Sequence, residues 1–577
     1  MKNNKQKSTS NIVYKTLLVV LIFNVSVLFA QRRKAAVEDR PGNEKLAKDL
    51  FGMRNFREAL DEYKLLYKKD SLNLTYNYRI GLCYLNTYTD RTKAIPYLEY
   101  AVKQPKVEIE AWYELGRCYQ YNYRFDDAIN AFKTYQKLQK AKSDKFTVPA
   151  HRQIEMCRNA MEFMKTPVNV SFHNLGDQIN SPFPDFSPYV PADESFIVFS
   201  SKRDNNLGKL LDFDGFYTSD VYISSLRNNL WGKAKSIGTI INSDLVEEVG
   251  GLSADGNVIF VYIDNYEGFN DVVWSTRKGR SFQKIAKISP GINSNALESS
   301  ATISQDKETI IFSSERSDGY GGTDLYVSRK LRSGEWSPPQ NLGNTLNTEY
   351  NEDFPNFSPD GKTLYFASQG HNSMGGYDLF KSEWDNTTNS WTKPVNLGYP
   401  VNTPEDNMTI SFSANGRYAY VAAFRPEGFG DLDIYKIIFH DVEPPYTIIK
   451  GNILNSDSSN IYSYVLPIDN KNEHSGLYTN SVAEDINYNN RELNVKIKVY
   501  DKSNNKLIGK YQPNKITGHY TIILPPGEYT ITFWRKGLKK ISENFDIEDM
   551  GYYNNEINKN IVMMPADSND SEVEESE

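Results

Sequence analysis

NTEYNEDFPNFSPDGKTLYFAS, residues 347–368, opens on the pair Asn347-Thr348, passes through Phe357-Ser358-Pro359-Asp360-Gly361 and ends in the apolar run Leu364-Tyr365-Phe366. An Asp-Gly turn between two short runs rich in aromatic and β-branched residues reads as a β-hairpin. The phrase recurs. Asn followed by Ser or Thr stands at Asn180, Asn242, Asn293, Asn347 and Asn402, at intervals of 62, 51, 54 and 55 residues. Each copy leads into a turn such as Leu252-Ser253-Ala254-Asp255-Gly256 or Phe412-Ser413-Ala414-Asn415-Gly416, then an apolar strand, then an Asp (Asp220, Asp271, Asp324, Asp378, Asp433) that opens a third strand. Those aspartates read as turn formers that accept backbone N–H bonds.

Four copies close on an aromatic, Trp231, Phe282, Trp336 and Trp391, each 11 residues before the next repeat Asn. The last copy has none. Counting the same distance back from Asn180 reaches Asn169, beside Val170-Ser171-Phe172, so that segment is expected to supply the last unit's outer strand and remove the open sheet edge. The reading is a five-bladed β-propeller over residues 168–440. Its phrases resemble the PD40 (WD40-like) repeat familiar from the TolB propeller.

Upstream, small residues recur at Ala47, Gly81 and Gly116 and again at Ala59, Ala94 and Ala128. The third copy carries Trp112, Leu115, Gly116, Tyr119, Phe125, Ala128 and Phe132, and resembles the tetratricopeptide (TPR) repeat. Residues 43–165 are therefore expected to form a TPR α-solenoid. Helical spacing would place Tyr78, Leu82, Asn86, Tyr113, Arg117, Gln120 and Tyr121 on its binding groove, with packing between repeats as the competing role. Cys83, Cys118 and Cys157, the three cysteines, suggest buried packing positions, not a disulfide or zinc framework.

Residues 445–564 alternate apolar and polar in short runs and predict a C-terminal antiparallel β-sandwich. Gly518-His519-Tyr520 and Pro525-Pro526-Gly527 resemble the carboxypeptidase regulatory-like domain. Residues 455–490 read as a polar loop, and residues 565–577 as an acidic disordered tail. The fold class expected is thus multidomain α and β.

The first 30 residues, with Lys2, Lys5, Lys7 and Lys15 ahead of the apolar run Leu17 to Phe29, read as a signal peptide. No later stretch is apolar enough to span a bilayer as a helix. The net charge of −7 makes nucleic acid an unsuitable partner. The order of repeats, propeller and sandwich resembles the PorE-type envelope proteins of Bacteroidota, associated with the type IX secretion system. That resemblance implies a periplasmic protein associated with the outer membrane through its partners, envelope proteins or secretion-system subunits. The OmpA-like domain with which that family ends is not seen here, so peptidoglycan binding is not carried over.

Chemistry was sought and not found. There is no GxSxG or HExxH, and six histidines are scattered singly. The expectation is a non-enzymatic scaffold or adaptor without cofactor or metal. The alternatives are a ligand- or glycan-binding sensor propeller and a peptidase-associated propeller. Carboxylates do recur after the Asn-Ser/Thr phrase, and Asp185, Glu248, Glu298, Asp353 and Asp406 were expected to ring one mouth of the channel as a site for a cation or basic peptide. The competing role, bonding to loop backbones, was weighed beside it.

Overall fold

The computed structural model describes residues 40–87, 90–139, 145–212, 214–264, 270–414, 416–442, 446–462, 494–547 and 556–566. The export segment, most of the polar loop and the acidic tail lie outside the described residues.

Seven helices come first: α1 (Glu44–Gly52), α2 (Phe56–Tyr67), α3 (Leu74–Leu85), α4 (Ala94–Val102), α5 (Glu110–Tyr121), α6 (Phe125–Gln139) and α7 (Ala150–Phe163). Asparagine starts three of them. The side chains of Asn43, Asn55 and Asn73 accept the N–H groups of Leu46, Glu58 and Tyr76, which would otherwise be left without a partner in the first turn. At Gly81 a Cβ would come within 2.7 Å of Leu98, so glycine is what lets α3 and α4 approach. The three cysteines are buried and none of them forms a disulfide.

The expected TPR solenoid is not what forms. Among the described residues the chain is mostly β, with 31 strands against these seven short helices. A solenoid needs its repeats to bury one continuous core. Here the chain divides inside α5: residues through Cys118 form one compact unit, and Tyr119 onward, residues 213–215 apart, form the other. The helices α6 and α7 thus belong with the propeller. Small-residue spacing detects close helix pairs and cannot tell how many stack together. Of the residues expected on its groove, Tyr78, Leu82, Tyr113 and Gln120 are buried, Asn86 caps α3 by donating to the Leu82 carbonyl, and Arg117 pairs with Glu114 at 3.0 Å. Tyr121, at the end of α5, is half-buried.

Five antiparallel sheets follow. The inner strands are Asp185–Tyr189, Val246–Leu252, Glu298–Ile303, Glu352–Phe357 and Ser411–Phe412, and each is followed by a second and a third strand. The fifth sheet takes Val170–Asn174 as its outer strand, in register from Val170↔Phe439 to Asn174↔Tyr435. The ring therefore closes across chain positions that are more than 250 residues apart, as the missing aromatic predicts. Apolar clusters fill all five junctions between neighbouring sheets. Phe260 and Val272 pack on Ile303 and Phe312 between blades 2 and 3, and Tyr420 and Ile434 pack on Ile197 and Phe199 between blades 5 and 1. Each such side chain contributes roughly 1.5–3 kcal/mol on burial, so the junctions hold the ring.

The C-terminal sandwich has a sheet of Leu507–Tyr511, Lys496–Asp501, Gly527–Trp534 and Ile541–Ile547 facing one built on Thr447–Asn455 and His519–Leu524. The second sheet is mixed, which corrects the antiparallel expectation: Thr447–Asn455 pairs in parallel with Glu556–Asn558 and Ile561–Met563. Alternation of apolar residues predicts strands but not their direction. Gly451 sits where the two short parallel strands meet, because a Cβ there would overlap the Lys559 carbonyl.

Two attachments distinguish the two ends of the ring. The sandwich covers the end where the hairpin turns converge: Ile448 and Ile523 pack on Ala192 and Ala414, Tyr446 donates to Asp360 at 3.0 Å, and Asn514 donates to Asn257 at 2.8 Å and to the Arg277 carbonyl at 2.9 Å. At the other end, α7 docks beside blade 4 through one buried cation. Arg152 donates to the carbonyls of Gln369, Gly370 and His371 and to the Ser373 hydroxyl, at 2.7–3.2 Å, and stacks over Tyr350. Removing it orphans buried carbonyls, which costs more than the bonds contribute when made. Arg152→Met is expected to destabilise the chain by about 3 kcal/mol, read as a fall in denaturation midpoint. An unchanged midpoint would show that the helix is held by something else.

Candidate functional site

Most of the repeat's polar residues build the ring. The amide of Asn347 lies against the third strand of the preceding blade, accepting the Leu325 N–H at 2.8 Å and donating to the Leu325 carbonyl at 3.0 Å. Asn402 makes the same pair with Leu379, Asn242 with Val221 and Asn180 with Ile434. Asn293 differs: it donates to the Val272 carbonyl but accepts from Ile288. These side chains act as a short extra strand edge, which no other uncharged residue type but Gln could supply.

The hydroxyl residue after each Asn turns back on an acid four positions later. Thr348 donates its N–H and its hydroxyl to Glu352, at 2.7 and 2.8 Å, and Ser294 does so to Glu298, at 3.0 and 2.6 Å. Asp185 and Glu247 bind Ser181 and Ser243 alike, and in blade 5 the amide Asn407 replaces the acid. Of the aspartates that open the third strands, Asp220, Asp324, Asp378 and Asp433 accept backbone N–H groups as expected, Asp378 from Met374 at 2.8 Å, while Asp271 pairs with Lys287 at 2.8 Å.

The five carboxylates expected to ring the mouth therefore separate. Counted from the repeat Asn, Asp185 and Glu298 are fifth, Glu248 and Asp353 sixth and Asp406 fourth. The fifth position points into the loop, and both its members are fully buried, bonded to Ser181 and Ser294 and paired with Arg203 and Arg316. Backbone bonding is the role that prevails there.

Glu248 and Asp353 are different. They sit at the start of their inner strands, the end of the ring away from the sandwich. Glu248 lies directly across from Tyr262 in the hairpin register, with Asp264 two residues further on the same face, and accepts the Ser219 hydroxyl at 3.0 Å. Asp353 accepts the Ser299 hydroxyl at 2.8 Å, the Ser300 hydroxyl at 2.7 Å and the Phe354 N–H at 2.7 Å. Phe354 takes a left-handed φ of 52° at the bulge that shifts the register after Asp353. Asp406 is exposed and accepts the Tyr377 N–H at 2.9 Å. Tyr262 and Tyr377 are half-buried, and the phenol of each is pushed up by burial first; nearby carboxylates add to it, Asp264 and then Glu248 for Tyr262, Asp353 and then Asp406 for Tyr377. Deeper in, Tyr189 is fully buried and its hydroxyl has no hydrogen-bond partner among the described residues; after burial, Asp353 is the charge that acts on it.

Tyr189, Tyr262, Asp264 and Tyr377 are absent from the sequence-based set. The one signal for Tyr262 is the polar break it makes in the apolar strand Val258–Asp264.

No protein-family model matches the chain, and no curated protein does. Among solved structures it is similar to an endo-arabinase from Bacteroides thetaiotaomicron, with 14% identity, a TM-score of 0.31 and coverage of 46% of this chain and 99% of the other. A thermostable family-43 glycoside hydrolase gives 15%, 0.31, 47% and 92%, and a Trypanosoma rangeli sialidase 9%, 0.29, 47% and 60%. The expectation that this chain is not an enzyme is corrected by these neighbours, which are named for activities on glycosidic bonds. Cleavage of a glycosidic bond ordinarily uses two carboxylates and neither a nucleophile elbow nor a metal motif, so the lack of those motifs does not bear on it.

The buried acids of the ring make a pH prediction. Burial pushes Glu247 and Glu352 up to about 7, against the Ser243 and Thr348 bonds that pull them down, and Asp220 and Asp324 across the blade junctions add to the rise. An acid raised above its unfolded value binds a proton that the unfolded chain has released, so stability falls as pH climbs from about 4.5 to 7. Melting temperature is expected to drop over that window, and Glu247→Gln with Glu352→Gln is expected to flatten the slope, since Asn407 already serves blade 5 as an amide. An equal slope in the double variant would contradict the assignment.

Proposed function

We propose that this chain is a glycan-binding protein and that the mouth of its propeller away from the sandwich, around Glu248, Tyr262, Asp353, Tyr377 and Asp406, is the binding face. The observation that carries the reading is the pairing of Glu248 with Tyr262 across the blade 2 hairpin: a half-buried tyrosine ring next to a carboxylate, at the end of the ring away from the sandwich. A pyranose presents hydroxyl donors to carboxylates and C–H faces to aromatic rings, so this combination of groups suits it. The rest of the repeat's polar groups are engaged in holding blades together.

Two carboxylates at one mouth are also what glycosidic-bond cleavage uses. Binding and turnover are separated by one assay each. In the same proposal the chain is exported, works in the periplasm near the outer membrane and is related to the PorE-type envelope proteins with envelope proteins as partners; this part rests on the leader-like first 30 residues and on a propeller followed by a small β-sandwich.

Titration of the full chain against a panel of oligosaccharides is expected to find a binder. Glu248→Ala and Tyr262→Ala should each weaken it about ten-fold, ~1.4 kcal/mol, with the circular dichroism spectrum unchanged. Release of reducing sugar from that ligand would add catalysis to binding. Undiminished affinity in both variants would remove the mouth from the reading.

A further inference from the structure

Blade 5 breaks an ion pair that the repeat builds in blades 1 and 3. In those two blades an arginine stands 18 residues after the buried acid: Arg203 donates to Asp185 at 2.8 Å and to the Ile179 carbonyl, and Arg316 donates to Glu298 at 3.3 Å and to the Ile292 carbonyl at 2.7 Å. Blade 5 keeps the arginine, Arg425, at the same spacing, but in place of the acid it has Asn407, whose side-chain oxygen accepts the Thr403 N–H at 2.7 Å. A neutral amide whose oxygen is already engaged does not neutralise a guanidinium.

Arg425 rests on aromatic support instead. Its guanidinium lies 3.6 Å from the centre of the Phe172 ring, on the strand that closes the propeller, and 5.7 Å from that of Tyr435. Arg203 and Arg316 also stack, over Tyr222 and Phe312, but both hold acids as well. Among the described residues the Arg425 guanidinium makes no hydrogen bond and no ion pair, and its Nε is buried without a partner. Glu427, two residues on, is exposed and does not pair with it. The Arg425 side chain is itself partly exposed.

The same loop offers an apolar surface. The Gly428 N–H donates to the Arg425 carbonyl at 2.9 Å, a tight turn that carries the chain on to Phe429. Asp433 accepts the Phe429 N–H at 2.6 Å and pins that backbone, as Asp378 does for Met374 in blade 4. Met374 is fully buried, whereas Phe429 is 48% exposed. The loop joins Tyr418–Ala423 to Asp433–Phe439, at the end of the propeller where the inner strands begin, which is the end of the mouth.

We propose that Arg425 receives the carboxylate of a uronate, an acidic sugar within the glycan, with the Phe429 ring against the C–H face of that sugar. A guanidinium held flat on an aromatic ring presents its edge to a planar carboxylate through two parallel N–H···O bonds. A sugar also brings a C–H face for the phenyl ring, which the carboxylate of an acidic peptide does not. The acids at the mouth then meet the neutral units of the glycan. The proposal rests on the glycan reading and narrows it.

In the test, oligomers of galacturonate, of mannuronate and of glucuronate-bearing xylan are each titrated against the full chain beside their methyl esters, at low and moderate salt, with a hexaglutamate peptide as a carboxylate that is not a sugar. The expected result is that at least one acid binds about ten-fold more tightly than its ester, that added salt narrows the gap, and that the peptide does not compete. Arg425→Gln should bring that acid down to its ester's affinity and leave the ester unchanged, with the circular dichroism spectrum unaltered. Asn407→Glu should do the same by rebuilding the pair seen in blades 1 and 3. Equal affinity of acid and ester in every pair, a preference that survives Arg425→Gln, or capture of the peptide in place of the sugar overturns the uronate proposal, and glycan binding stands where esters or neutral oligosaccharides still bind. Failure of acids, esters and neutral oligosaccharides together overturns both.

Discussion

The side-chain amide of the repeat asparagine is the constraint on which the propeller depends. Adjacent blades meet face to face, where apolar side chains supply attraction without direction. The third strand of one blade would still expose an N–H and a carbonyl at the junction, and a buried unpaired pair costs about 1–3 kcal/mol for each group. Asn180, Asn242, Asn347 and Asn402 satisfy both groups at once, and so fix the angle as well as the distance between blades. The Ser/Thr and acid that follow hold the asparagine's own loop in shape. Closure by Val170–Asn174 then lets the five blades share one ring.

That division of labour shows where function can lie. In a repeat protein, residues present in every copy serve the copy, and departures from the repeat are available for something else. At the sixth position after the asparagine the chain has Phe186, Glu248, Ser299, Asp353 and Met408, and at the ninth Tyr189, Gly251, Thr302, Asn356 and Ser411. Glu248, Asp353 and Tyr189 are the departures that carry chemistry. Gly251 departs for room, since a Cβ there would strike the Ala301 carbonyl.

The ring was legible because its period is carried by side chains with fixed tasks: the asparagine, the turn Asp-Gly and the closing aromatic each mark one place in a blade. The missing aromatic after Tyr435 even located the closing strand. The mouth was not legible in the same way. Asp185 and Glu298 were grouped with Glu248 and Asp353 because all follow the asparagine closely, and in an inner strand a shift of one residue turns a side chain from the loop to the channel. Tyr262 could not be paired with Glu248 without the register of the hairpin. In the helical part, spacing of small residues reported that α3 and α4 touch at Gly81, and nothing in that spacing reported the division inside α5. The parallel strands of the sandwich were missed because residues 556–563 alternate in the same way whichever direction they pair.

The central claim is that ligand meets the mouth formed by the departures from the repeat, not the faces that the repeat builds. Hydrogen exchange of the full chain with and without a bound oligosaccharide measures this directly. The account predicts slower exchange in residues 246–249, 260–264, 298–300, 352–354 and 376–378, with residues 447–455 and 519–524 of the sandwich unchanged. Protection confined to the sandwich or to α1–α4, with the mouth peptides exchanging as before, would contradict it.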